Sequence, residues 1–240
     1  MELHVAFLPQ EAGDCRGRAV AVIDVIRATT SLLVMAERGC DEVVVAPTVA
    51  AARTFGAAHP GAVLAGEQGG LAPRGFDFGN SPAAFADADL AGRRVVFATT
   101  NGTRALHSAR GAPVILIACL RNRTAAARAL SDEAVRGGFD ITLICSGREG
   151  RFGLDDAYTA GAIVDAMLRE SEPAPDLTDA AVAARALFDA YPKAEVLLPT
   201  TSAGRNVIEI GLEADLHVCA EADRSALVPR IGERVRLLEA

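Results

Sequence analysis

Tryptophan is absent from this chain of 240 residues, tyrosine occurs only at Tyr158 and Tyr191, and lysine only at Lys193. Every other basic side chain is an arginine, which removes most lysine-dependent chemistry. A P-loop lysine or a cofactor Schiff base would have to be Lys193, and Tyr191-Pro192-Lys193-Ala194 fits neither. Acidic residues outnumber basic ones, 31 to 24, for a formal charge of −7, and no basic stripe interrupts the pattern. A binder of phosphate backbones held by counterion release is therefore not expected, and nucleic acid is set aside as a partner. Long apolar runs are also missing. The two longest, Ile115 to Leu120 and Ile141 to Cys145, fall far short of the roughly 20 residues that cross a bilayer. Glu2-Leu3-His4-Val5 lacks the charged and apolar regions of a signal peptide, so no membrane and a cytoplasmic location are expected. Cys15, Cys40, Cys119, Cys145 and Cys219 are odd in number and nowhere spaced as C-x-x-C, which argues against a disulfide framework or a zinc knuckle.

What is present is an alternation of short Val/Ile-rich runs with Ala-rich stretches of helical period, the pattern of strands crossing to helices and back. The reading is a layered α/β/α protein with a mixed, largely parallel sheet. Strands are expected at 3–8, 19–25, 42–46, 62–65, 94–98, 114–118, 140–145, 195–198 and 215–220, and helices at 28–38, 48–57, 103–110, 124–136, 155–170 and 177–190. Residues 1–240 are read as a single domain; Pro173 and Pro175 mark 171–176 as the best place for a subdomain boundary. No heptad or apolar stripe decides the oligomeric state, and a homo-oligomer is compatible with the sequence.

Ligands of open α/β sheets sit beyond the carboxyl ends of the strands, and there the polar residues of this chain collect. Asp24, Arg27, Thr29 and Thr30 follow one apolar run; Glu67 follows another, beside Gly66, Gly69 and Gly70. Thr99, Thr100, Asn101, Gly102, Thr103 and Arg104 follow a third, and Cys145-Ser146-Gly147-Arg148-Glu149-Gly150-Arg151 a fourth, ahead of Asp155-Asp156. Asp24, Glu67, Asp155 and Asp156 are hard oxygen ligands of the kind that hold Mg2+ beside a phosphate. Arg27, Arg104, Thr29, Thr103 and Ser81 are donors suited to a phosphate or a second anion. Acids for a metal and bases for an anion at one rim suggest metal-assisted phosphoryl chemistry. Each element also has a structural reading: a helix cap for Asp155-Asp156, a turn for Asn101-Gly102, β-propensity for the paired threonines.

Standard signatures are missing: no G-x-G-x-x-G, Walker A, H-E-x-x-H, G-x-S-x-G or EF-hand loop occurs. Asp24 with Thr29 is similar to the strand-end aspartate of haloacid-dehalogenase-type phosphatases, but Ile26 occupies the place of the second aspartate. Cys145 and Arg151 obey C-x5-R, the spacing of cysteine-based phosphatases, and a thiolate there would attack phosphorus without a metal. A non-catalytic protein that holds an anionic metabolite is a further alternative.

In order and spacing, several segments together resemble the 2-phosphosulfolactate phosphatase family over nearly the whole chain. They are Asp24-Val25-Ile26-Arg27-Ala28-Thr29-Thr30, Gly66-Glu67, Gly75-Phe76-Asp77-Phe78-Gly79-Asn80-Ser81-Pro82, Thr99-Thr100-Asn101-Gly102-Thr103 and Gly153-Leu154-Asp155-Asp156 with Ala160-Gly161. Asp215 and Asp223 fall in the closing segment. The resemblance implies a fold peculiar to that family and a Mg2+-dependent phosphatase that converts 2-phospho-3-sulfolactate, a small anionic phosphate ester, to 3-sulfolactate and phosphate in coenzyme M biosynthesis. Taken with the strand-end residues, it gives expected catalytic roles to Asp24, Arg27, Thr100 and Asn101. Substrate contacts would come from Thr29, Thr30, Asn80, Ser81, Gly102, Thr103 and Arg104, and metal contacts from Asp24, Glu67, Asp155 and Asp156. The family's acidic pair is Glu-Asp where this chain has Asp155-Asp156, so the expected metal contact rests more on Asp156 than on Asp155.

Overall fold

Side chains of a strand alternate between two faces, and here both faces of most strands are apolar, as a sheet covered on each side requires. The computed structural model describes residues 1–99 and 101–238, with side chains for all of these but Asn101. In chain order the elements are β1 (Glu2–Ala6), β2 (Arg18–Ile23), α1 (Ala28–Glu37), β3 (Glu42–Ala46), α2 (Val49–Ala58), β4 (Val63–Gly66), α3 (Pro82–Ala86), β5 (Arg94–Ala98), α4 (Asn101–Ser108) and β6 (Val114–Ala118). There follow α5 (Arg123–Gly137), β7 (Asp140–Cys145), α6 (Leu154–Glu170), β8 (Asp176–Leu177), α7 (Asp179–Ala190), α8 (Ala194–Leu197), α9 (Ser202–Glu209), α10 (Ala214–Ala220) and β9 (Val235–Leu237).

The α/β class read from the sequence is the one observed, with the strands divided between two sheets. One runs β6-β2-β7-β1-β8 and the other β4-β5-β3-β9, and their paired strands are parallel. On β2, Val20 and Val22 face one cluster while Ala19, Ala21 and Ile23 face another; on β5, Val95 and Phe97 are separated from Val96 and Ala98 in the same way. The cluster between the sheets includes Leu32, Val34 and Met35 of α1, Phe85 of α3 and Leu106 of α4. Beyond the first sheet lie α5, α6 and α7; against the outer face of the second lies α2. The result is five layers, with the middle helices shared by both sheets.

Two expected strands are helices. Residues 195–198 lie in α8 and the 3-10 turn Leu198–Thr200, and 215–220 lie in α10. Short apolar runs do not distinguish strand from buried helix by periodicity. Leu197, Leu198, Cys219 and Ala220 pack with Val25, Leu33 and Tyr158, roofing the carboxyl end of the first sheet. Residues 171–175 connect α6 to β8, which pairs with β1.

Candidate active site

The carboxyl ends of β2 and β7 from one sheet and of β4 and β5 from the other converge on a cavity of about 360 Å3, which α9 closes with Ala203, Asn206 and Val207. Asp24, Arg27, Glu67, Asn80, Asp155 and Asp156 all line it. Residues far apart in the chain are thus brought together as the sequence suggested.

Asp24 is fixed by the turn that follows β2. The Thr29 hydroxyl donates to Asp24 O (2.9 Å) and accepts from Asp24 N–H (3.1 Å), while the Thr30 hydroxyl donates to Val25 O (2.8 Å). Both threonines are buried and neither lines the cavity. Their expected role in substrate contact is corrected: their hydroxyls are spent on closing the turn. Ala28 N–H then donates to Asp24 Oδ1 (3.2 Å). From the other side α4 comes so close that a Cβ on Gly102 would sit 3.1 Å from Asp24 Oδ2 and 2.7 Å from Ala28 Cβ. Gly102 therefore acts by leaving room.

Asp155 and Asp156 occupy the first turn of α6, where negative charge meets the positive end of the helix dipole. Asp156 is the more engaged. Val25 N–H donates to its Oδ1 (2.9 Å), and the Ser146 hydroxyl (2.9 Å) and Gly147 N–H (3.0 Å) donate to its Oδ2, so it ties the end of β2 to the end of β7. Gly147 has φ +58°, and a Cβ there would fall 2.5 Å from Arg151 O, so this fold-back of the loop needs glycine. Among the described residues, Asp155 accepts from the helix-start amides of Asp155 and Asp156. Sequence reasoning placed more weight on Asp156 for metal contact, yet its oxygens are the ones already occupied.

Burial, then the nearness of the other carboxylates, pushes Asp24 and Asp155 up to about 6 and raises Asp156 well above the carboxylate range; amides, Arg27 and Arg148 oppose this only in part. Glu67, half-buried after β4, accepts from Gly70 N–H at 3.0 Å and adds to the charge facing Asp24. Such a concentration of buried negative charge suits a divalent cation. Among the described residues no three His, Cys, Asp or Glu side chains form a ready-made cage.

The anion side is sparser than expected. Arg27 is buried on the cavity wall, with Nη1 2.9 Å from Asp215 Oδ2 and Nη2 donating to Gly70 O at 2.7 Å. Asn80 is buried, and among the described residues its Oδ1 has no hydrogen-bond partner, which leaves an orphan acceptor at the cavity. Ser81 does not face a ligand: its hydroxyl donates to Asp215 Oδ1 and accepts from Ala84 N–H as the cap of α3, which corrects its expected role. Thr103 donates to Thr99 O, and with the exposed Arg104 it lines a second cavity of about 620 Å3 that adjoins the first at Glu67 and Thr99. Thr100 lies outside the described residues, as does the side chain of Asn101.

Ser146, Arg148, Asn206 and Asp215 were given no site role from sequence. The first two follow β7 and could have been found by the strand-end rule; Asn206 and Asp215 lie on helices α9 and α10 with no local motif. Cys145 is placed on the far side. It is fully buried in the outer apolar cluster, and burial, then Asp156 and Asp155, raise its thiol well above the ordinary range. Arg151 is exposed, its backbone paired with Arg148. The thiolate reading is thereby overturned.

The sequence profile described as 2-phosphosulpholactate phosphatase matches residues 6–234. A protein of Thermus thermophilus named probable 2-phosphosulfolactate phosphatase is 42% identical over 219 residues, 90% of this chain and 89% of the other. Proteins of the same name from Deinococcus radiodurans and Symbiobacterium thermophilum are 37% and 35% identical, and cover 96% and 95% of this chain and 93% and 97% of their own.

Proposed function

The chain belongs to the 2-phosphosulpholactate phosphatase family, and we propose that it is a Mg2+-dependent phosphatase that hydrolyses 2-phospho-3-sulfolactate to 3-sulfolactate and phosphate. The observation that carries this reading is the cavity itself, which Asp24, Asp155 and Asp156 line together with Arg27 and Asn80, all of them buried. Hydrolysis breaks the bond between phosphorus and the ester oxygen on C2, with a water oxygen entering at phosphorus and a proton reaching the leaving alkoxide. Arg27 donates to phosphoryl oxygens, as do the Nδ2–H groups of Asn80, and the fixed guanidinium needs no reorganisation as charge develops. Asp24 and Asp155, together with Glu67, would hold Mg2+, while Asp156 keeps the Ser146-Gly147 loop in place. When bound, Mg2+ supplies positive charge against the phosphoryl oxygens. The carboxylate and sulfonate of the substrate need further cations, and Arg148 at the mouth of the cavity supplies one. The product would enter coenzyme M biosynthesis. We place the enzyme in the cytoplasm, in keeping with five unpaired, buried cysteines and with no described helix long and apolar enough to cross a membrane.

The test is phosphate release from racemic 2-phospho-3-sulfolactate and from phospholactate, with Mg2+, with EDTA and after iodoacetamide. Metal-dependent, thiol-insensitive turnover that prefers the sulfonated ester is expected. Turnover without that preference keeps the mechanism and discards the substrate. Saturable binding with no phosphate release supports an anion-binding protein, and an active Asp24→Ala variant refutes the assignment of Asp24.

A further inference from the structure

Arg27 is the arginine buried in the cavity wall, and its orientation comes from a residue outside the cavity. Asp215, on α10, is 1% exposed and does not line the site. Its Oδ2 meets Arg27 Nη1 at 2.9 Å. Its Oδ1 accepts from the Ser81 hydroxyl and, at 3.3 Å, from Ala83 N–H. Both oxygens are thus committed, one to the guanidinium and one to the start of α3. The Gly70 carbonyl, 2.7 Å from Nη2, takes a second guanidinium nitrogen. Two contacts from different segments fix the plane of a guanidinium and leave its other N–H groups for a ligand.

A buried ion pair is a weak source of net stability, because desolvation offsets much of the attraction. Stability alone therefore gives little reason for charging both partners here. Without Asp215 the guanidinium would face the carboxylates of Asp24 and Glu67, whose charges already act across the same space. Its swing toward them would remove a phosphate donor and neutralise the acidic half of the site in one movement.

We infer that Asp215 is a positioning residue, which holds the Arg27 guanidinium toward the phosphoryl group and away from Asp24 and Glu67, with Ser81 bracing it from behind. This rests on the phosphatase reading above. It makes Asp215 act on the reaction only through Arg27, and that is what distinguishes it from a residue that merely supports the fold.

The experiment is a double-mutant cycle on the full-length, Mg2+-loaded protein with Arg27→Gln, Asp215→Ala and Asp215→Asn. Phosphate release is followed as separate kcat and KM, and binding of inorganic phosphate by calorimetry. Asp215→Ala is expected to lower kcat about 10- to 100-fold, the usual size when an orienting partner is lost. Asp215→Asn, which keeps an oxygen toward Arg27, is expected to recover part of the loss. In the Arg27→Gln background neither change should lower kcat further. Effects that multiply instead of saturating overturn the inference. If Asp215→Ala does not fold, Ser81→Ala keeps the ion pair and loosens its brace, and its smaller loss of kcat must likewise vanish in the Arg27→Gln background. Should the wild type release no phosphate from any ester, the same cycle is read on phosphate binding: coupling there keeps the positioning role while the phosphatase reading falls. Additive effects, or no phosphate binding by the wild type, overturn the inference as well.

Discussion

Replacing Asp24 with Asn should make the metal-free protein more stable at neutral pH while destroying its activity. Asp24 is buried and its carboxyl is held at about 6 instead of 3.8, chiefly by desolvation. For an acid raised in the folded state the sign is fixed: nothing is lost below the unfolded value, and stability falls as pH rises from 3.8 through about 6. The loss is then complete at pH 7. At about 1.36 kcal/mol per pH unit it is on the order of 3 kcal/mol for Asp24 taken alone, or roughly 6–12 °C in Tm for a chain of this size. Asn keeps an oxygen for Ala28 N–H, 3.2 Å away in the native site, and carries no charge. Ion-paired carboxylates such as Asp223 and Glu133 are held low and contribute with the opposite sign, so the informative quantity is the difference between variant and wild type. The assay is thermal unfolding of both proteins between pH 4 and pH 7, in EDTA and in excess Mg2+. The two should coincide near pH 4 and diverge toward pH 7 in EDTA, with Asp24→Asn the more stable. Mg2+ should raise the wild type, by about 2.7 kcal/mol at a hundredfold excess over Kd, and the variant far less. A variant no more stable than wild type at pH 7 in EDTA, or equal rescue of both by Mg2+, would refute the reasoning.

Asp155→Asn and Asp156→Asn should behave differently although the residues are adjacent. Loss of the Asp155 charge should abolish turnover, weaken Mg2+ stabilisation in the same melts and raise metal-free Tm at neutral pH, whereas Asp156→Asn also disturbs hydrogen bonds from Val25, Ser146 and Gly147 and should show a smaller rise of Tm in EDTA than Asp155→Asn. Cys145→Ala should keep kcat within about twofold and lose about 1 kcal/mol for the buried sulfur, read from phosphate release and urea unfolding; inactivity would return the chemistry to the thiol. Gly161→Ala places a Cβ 2.0 Å from Ala184 O where α6 crosses α7, so urea unfolding should show a loss of about 1–3 kcal/mol, with kcat unchanged because the contact is remote from the cavity.

Strands β1 to β7 were legible because they are largely apolar on both faces and flanked by charge or glycine, whereas β8 (Asp176–Leu177) and β9 (Val235–Leu237), short and partly exposed, were not expected as strands. Glu42–Ala46, Arg94–Ala98, Val114–Ala118 and Asp140–Cys145 have the bounds expected of them. Their division into two sheets was not legible, since β1 to β7 show the same pattern whichever sheet they join. The residues at 195–198 and 215–220 misled for a related reason: short apolar helices that roof a sheet bury as completely as strands. Asp24, Glu67, Asp155 and Asp156 could be found because each stands one or a few residues beyond such a run or opens the next helix. Thr29, Thr30 and Ser81 stand there too, but a hydroxyl beside a turn or helix start is as able to bind the backbone as a ligand, and these three do so.

The failure of every contiguous motif follows from how the cavity is built. Its carboxylates come from the end of β2, the end of β4 and the start of α6, and its buried arginine is oriented from α10. Charges so close repel, so each must be anchored by its own segment: Asp24 by the turn after β2, Asp156 by amides and a hydroxyl from two strand ends, Arg27 by Asp215. Anchoring from separate segments requires those segments to approach closely, and glycine at 102 and 147 is what permits it. The chemistry is consequently carried by spacings between segments, and a reading confined to one loop sees only a turn, a cap or a strand end.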